Sequence, residues 1–293
     1  MTAARSLLGN AIDYAGLFPP AALNMKSAVA EYAAVRASDD AWALGRFMLP
    51  ADRFEMFAVE REFLPPSAGT WLVAVACGDD LAGDLHRIAV LPARLPQTLA
   101  RVDTVEFRAP TLDALLDGLA AVPTTFTRFV EIPLSADPIP LVAQLKRAGA
   151  GAKFRTGGVV ATAIPEPELL LRALDAVVRA ALPFKCTAGL HHPVRGTYRL
   201  TYAPDSPTGL MHGYLNVMLA AAALQQRAGL VTARAILLET VPAAFVIGKD
   251  WVRWRDVTFD RDTIRALRRR GFRTFGSCSF REPVDELGAL GTA

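Results

Sequence analysis

AKFRTGGVVATAIPEPELLLRALDAVVRAALPFKCTAGLHHP, residues 152–193, contains one complete strand–helix–strand unit. AKFRTG (152–157) and FKCTAGL (184–190) are short apolar runs of strand character, and PELLLRALDAVVRAAL (167–182) between them has a helical pattern. A parallel pair joined by a crossover helix is the simplest reading of that order.

The same succession recurs along the chain. Further strands are expected at IDYAGLF (12–18), WALGRFML (42–49), WLVAVAC (71–77), VDTVEFR (102–108), FTRFVEI (126–132) and FRTFGSCSF (272–280). Helical patterns follow at MKSAVAEYAAVRA (25–37), TLDALLDGLAAV (111–122), PLVAQLKRAG (140–149) and DRDTIRALRRRG (260–271). The first seven strands start roughly 24 to 32 residues apart, the pitch of repeated strand–helix units. Eight such strands predict a closed (β/α)8 TIM barrel, a fold that usually takes ~250 residues. An open doubly wound sheet is the competitor, but no glycine-rich phosphate turn follows the first strand. No linker divides residues 1–293, so one barrel domain is expected, with its surplus inserted between strands seven and eight at about 193–271. That insertion holds an apolar helical stretch near 209–228, a second near 230–241, and a hairpin candidate in FVIGKDWVRWRDV.

Composition narrows the function classes. With 32 basic and 29 acidic residues the net charge is +3, which gives no strong field for nucleic acid or a membrane surface. The basic run RALRRRG (265–271) reads as a solvated helix end, where cations complement the helix dipole. Three widely spaced cysteines, without a CxxC, argue against both a disulfide framework and a zinc knuckle. The N-terminal stretch is interrupted by Arg5, Asn10 and Asp13, unlike a signal peptide, and no run approaches the ~18 apolar residues of a membrane span. A cytoplasmic, reduced protein acting on a small molecule is the expectation.

Five lysines stand against 27 arginines. Where only positive charge is wanted this chain uses arginine, so a retained lysine points to a property arginine lacks: release of a proton near neutral pH. In a barrel the C-terminal strand ends carry the active site. Those ends offer Asp13, Arg46, Cys77, Asp103 with Glu106, Glu131, Lys153 with Arg155, Lys185 with Thr187 and His191, and Gly276, Ser277, Cys278 and Ser279. Strand alternation puts Lys153 and Lys185 on inward faces of adjacent strands, where like charge would depress both pKa values. A neutral amine is what imine formation with a carbonyl requires. A buried ion pair between one lysine and Glu131 or Asp103 is the structural alternative. Asp13 and Arg46 likewise suit either substrate contacts or a mutual ion pair.

The segments AKFRTGG, PFKCTAGLHH and FRTFGSCS, with RVDTVEF on strand four, resemble the motifs of deoxyribose-phosphate aldolase, a class I aldolase family on a TIM barrel. The resemblance covers roughly 100–192 and 271–280. It implies Lys153 as the Schiff-base lysine, Lys185 as its tuning partner and Asp103 as the proton-relay carboxylate. It also implies a phosphate-binding end near Gly276, Ser277 and Ser279, and no metal or organic cofactor. Arg155 departs from the family motif, which has serine there, and His191-His192 replaces residues near the expected phosphate contact. The substrate class it implies is a small carbonyl compound, phosphorylated or acidic, cleaved or joined at a carbon–carbon bond.

Two other functions compete. His191, His212 and Glu239 could ligate a divalent metal in an isomerase or lyase, although no HxH or HExxH spacing is present. A non-catalytic ligand-binding barrel would keep the lysines for structure alone. Finally, the helix from Leu210 to Ala228 is apolar almost all round, which predicts burial on several sides and a homo-oligomer. His212, Tyr214 and Asn216 at its start would then reach over the barrel mouth, with His212 touching substrate.

Overall fold

Eight parallel strands close into a barrel, as the strand–helix pitch predicts. A computed structural model of the chain describes residues 2–65 and 69–290. Its first seven barrel strands are β1 (Ile12–Tyr14), β2 (Leu44–Pro50), β3 (Trp71–Ala76), β4 (Ala100–Arg108), β5 (Thr127–Glu131), β6 (Gly151–Arg155) and β7 (Phe184–Thr187). The excursion contributes β8 (Gly196–Arg199), β9 (Thr208–Met211), β10 (Phe245–Ile247), β11 (Trp251–Trp254) and β12 (Val257–Asp260), and β13 (Phe272–Ser277) closes the barrel between β7 and β1. The helices are α1 (Ala3–Leu8), α2 (Met25–Arg36), α3 (Phe54–Glu62), α4 (Leu81–Arg94), α5 (Leu112–Ala121), α6 (Pro138–Ala148), α7 (Pro167–Arg179), α8 (Tyr214–Gln225), α9 (Leu230–Leu238), α10 (Arg261–Arg270) and α11 (Arg281–Ala289).

The unit that carries both lysines shows how local chemistry sets the frame. Asp137 caps α6 by accepting from the Ile139 amide, and Pro138 occupies the first turn, where a missing N–H costs nothing. In α7, Leu170, Leu171, Leu174 and Val177 are buried, while Glu168 and Arg179 face solvent. Each buried leucine or valine contributes about 1.5–3 kcal/mol. β6 and β7 then pair in parallel with Lys153 directly opposite Lys185.

On β4 the ladder is irregular. Val102 pairs with Val73 and Thr104 with Ala74, so Asp103 is left without a register partner. This bulge resets the alternation. Thr104 and Glu106 are buried polar residues, whereas the Phe107 ring lies where a Cβ on Gly118 of α5 would stand.

The excursion is more than an apolar helix. β8 and β9 form a hairpin, and β10, β11 and β12 form a separate antiparallel sheet that confirms the predicted hairpin and adds a strand. The helical stretch expected from residue 209 begins at Tyr214, because Thr208–Met211 pairs with β8. Residues Tyr214–Ala223 are all buried within a single chain, packed against α7, α9 and α10. The apolar circumference that pointed to a second subunit is therefore covered by the protein's own helices. Among the described residues no helix is long and apolar enough to cross a membrane.

Candidate functional site

Inside the barrel a chain of alternating charges runs from one end to the other. At its centre Lys185, 1% exposed, extends from β7 between Asp13 and Glu106. Its Nζ donates to Asp13 Oδ2 at 2.6 Å and to Glu106 Oε1, and it sits 5.7 Å from the centre of the Phe129 ring. The other Glu106 oxygen, Oε2, lies 2.9 Å from Lys153 Nζ, so one carboxylate joins both lysines. Lys153 also approaches Glu131 Oε2 at 3.2 Å, and Glu131 Oε1 accepts from Arg155 Nε at 2.8 Å.

Charge compensation dominates this site. Burial opposes the Glu106 charge, yet the two ammonium groups outweigh it and bring its pKa down to about 2. Glu131 is also held low, with Lys153 and Arg155 overcoming its burial. Burial likewise opposes the charge on Lys185, but Asp13 and Glu106 hold its ammonium above the ordinary lysine range. The expectation that the lysines neutralise one another by repulsion is thus corrected for Lys185. A carboxylate stands between the two, so Lys185 is a fixed cation and not a neutral amine.

The upper end opens on a cavity of about 800 Å³ at the C-terminal strand ends. Lys153, Glu106, Glu131, Arg155, Thr187 and Gly276 line it, and His191 and Cys278 lie at its edge. Gly189, at φ +75°, takes the chain out of β7 toward His191, and no Cβ fits there because Gly157 backbone comes within 2.9 Å.

Several expected site residues lie elsewhere. Asp13 is fully enclosed: Oδ1 accepts from the Arg46 amide at 2.9 Å, and Oδ2 accepts from Thr274 Oγ1 at 2.7 Å as well as from Lys185. Gly45 permits that approach, since a Cβ there would come within 2.4 Å of Asp13 Oδ1. Arg46 donates from Nε and Nη2 to Asp103 at 2.6 and 3.0 Å. Both stand near the N-terminal ends of their strands, and Arg46 lines a different, lower cavity. The carboxylate that meets the lysines from β4 is Glu106, three residues beyond Asp103.

His212 is buried and bonded through Nε2 to the Pro165 carbonyl at 2.9 Å, and burial lowers its pKa. Tyr214 donates to Pro283 O, and Asn216 donates to the carbonyls of Ile236 and Glu239. His212 and Tyr214 tie the excursion to the barrel, Asn216 braces it internally, and none of the three lines the upper cavity. Glu239 binds Arg255 and the Trp254 indole. His191, His212 and Glu239 therefore have separate partners, and among the described residues no group of three such side chains is arranged to hold a metal ion.

His191 has neighbours that strand reading missed. Its Nδ1 lies 3.1 Å from Ser277 Oγ and 3.3 Å from Glu282 Oε2, and both ring nitrogens are 3.9 Å from Cys278 Sγ. Burial disfavours the imidazolium, but Cys278 and Glu282 raise its pKa to about 9. Ser277 Oγ donates to the Ser279 carbonyl, and Ser279 Oγ accepts from the Glu282 amide, so these hydroxyls order the turn into α11.

No protein-family model matches this chain, and no curated protein matches it. The chemistry of the site has to be argued from its own atoms.

Proposed function

We propose that this barrel is a lyase of the class I aldolase type, resembling deoxyribose-phosphate aldolase, that makes or breaks a carbon–carbon bond through an imine on Lys153. The observation that carries the reading is the position of Lys153: a residue only 7% exposed that lines the upper cavity, with Glu106 and Glu131 both in contact with its Nζ. A solvated surface lysine has no need of two carboxylates, and a purely structural one has no need of a cavity above it.

In the proposed reaction Lys153 loses a proton to one of its carboxylates and attacks the substrate carbonyl carbon. Loss of water from the resulting carbinolamine gives the protonated imine. A carboxylate then takes the proton of the β-hydroxyl, the Cα–Cβ bond breaks, and its electron pair moves into the iminium to leave an enamine and an aldehyde. Protonation at carbon and addition of water release the second carbonyl product and restore the amine. Glu106 takes the proton-transfer role that the resemblance assigned to Asp103. Lys185 keeps Glu106 ionised and oriented. Arg155, Thr187 and His191 line the space where the rest of a small, acidic or phosphorylated substrate would lie.

Borohydride reduction in the presence of a panel of aldehydes and ketones, followed by intact mass and peptide mapping, tests this directly. A reduced adduct on Lys153 that disappears in Lys153→Met is the expected result. No adduct at Lys153 with any carbonyl compound, in protein whose fold is verified, would overturn the imine mechanism.

A further inference from the structure

The barrel has a second opening at its N-terminal end, a cavity of about 1150 Å³ into which the run RALRRRG projects. Eight arginines line it, and its one carboxylate, Asp13, is already engaged by Lys185. The deeper guanidinium groups have partners. Arg46 holds Asp103, Arg128 donates to the carbonyls of Leu119, Val122 and Ala148, and Arg268 donates to those of Gly9, Phe272 and Arg273.

The rim is different. Arg265 has Asp262 at 3.8 Å. Arg5, Arg269, Arg270 and Arg273 are exposed, and although Arg273 donates to the Arg269 carbonyl at 2.6 Å and Arg5 lies over the Trp42 ring, among the described residues none of these four has a carboxylate within ion-pair distance. Burial first, and the adjacent Arg273 second, bring Arg268 down to about 10 against the opposing pull of Asp13. The whole chain carries only +3, so this mouth concentrates far more positive charge than the protein average.

We infer that the lower mouth binds a compact, multiply charged phosphate compound, a free oligophosphate group, at a site separate from the upper cavity. Planar guanidinium forks match phosphate oxygens in pairs, which ammonium groups do not. The arginines surround a concavity; they do not form an extended stripe, which suits a small polyanion over a nucleic-acid backbone. This inference does not depend on the imine chemistry, because no rim arginine belongs to the upper site.

Calorimetric titration with inorganic pyrophosphate and tripolyphosphate at low salt tests it. Binding at one site per chain is expected, tighter for tripolyphosphate and weakening as salt rises. Arg269→Gln/Arg270→Gln, which keeps good helix formers at exposed positions, should weaken binding by about tenfold for each guanidinium lost. Arg5→Gln, on a different helix, should weaken it by about the same single step. Arg155→Ala, at the other end of the barrel, should leave it unchanged. The inference is overturned if neither anion binds, if the arginine variants bind as the parent does, or if Arg155→Ala abolishes binding. Sedimentation with mixed phosphatidylcholine–phosphatidylglycerol vesicles in the absence of oligophosphate binding would also overturn it, in favour of a lipid headgroup.

Discussion

Replacing Lys185 by methionine separates a structural cation from a dispensable one. The side chain is 1% exposed and contacts two carboxylates. In Lys185→Met, Glu106 keeps Lys153, and Asp13 keeps the Arg46 amide and the Thr274 hydroxyl. Asp13 therefore loses the one cation within ion-pair distance of it among the described residues, while remaining buried. Removing one member of a buried pair costs about 3–5 kcal/mol, because the partner's desolvation is no longer offset. In a chain of this size that corresponds to a fall in Tm of about 5–8 °C. Urea unfolding and calorimetry should both register it. Asp13→Asn/Lys185→Met should recover part of the loss, since the orphaned charge is gone. The pH dependence provides a second check. Glu106 has its pKa depressed from 4.5 to about 2, so its contribution is present above 4.5 and disappears as pH falls through about 2. The variant should show a smaller loss across that acid window. A Lys185→Met protein as stable as the parent would refute the reasoning.

Two further outcomes follow from the same network. His191 has its pKa raised from 6.5 to about 9, so it adds stability that is complete below 6.5 and lost as pH rises through 9; at about 1.4 kcal/mol per unit this is at most roughly 3 kcal/mol, and His191→Gln should flatten the alkaline slope of unfolding. Asp103→Asn should leave borohydride trapping at Lys153 intact while lowering Tm by a few degrees, whereas Glu106→Gln should slow trapping by at least about tenfold, as loss of a general acid–base group does; equal effects would contradict the assignment of Glu106.

The barrel was legible because each strand is a short β-branched or aromatic run and the helices between them keep their period. Helices α3 and α4 escaped notice; Pro92 and Gly83 interrupt the pattern of α4, although Asp80 caps it by accepting from the Gly83 amide. The lysine pair was legible too, since two adjacent strands of matching alternation fix Lys153 opposite Lys185. Of their carboxylate partners only Glu131 was, as the ion-pair alternative; Asp13 and Glu106 were strand-end candidates with neither lysine assigned to them. Asp13, Glu106 and Glu131 come from three strands far apart in sequence, and the tilt and stagger of a closed barrel decide which heights meet. On β4 the bulge at Asp103 shifts the inward set to Thr104 and Glu106, and nothing in RVDTVEF announces it. For α8 the sequence revealed an apolar circumference but not what covers it. The answer lay in α7, α9 and α10 of the same chain.

The place of β13 has a consequence for synthesis. It must pair with β1 on one side and β7 on the other, while Tyr214 at the start of α8 stacks on its Phe275 at 5.1 Å and bonds Pro283 just beyond it. Docking of the excursion and closure of the barrel are therefore a single event, made from contacts very distant along the chain, the kind that form slowly. As the polypeptide leaves the ribosome, Ile12–Tyr14 and Phe184–Thr187 remain open parallel edges until Phe272–Ser277 has emerged. Unpaired edges of that kind are templates for association between chains. During that interval the nascent protein is exposed to misassembly, and the finished barrel has no edge left to show for it.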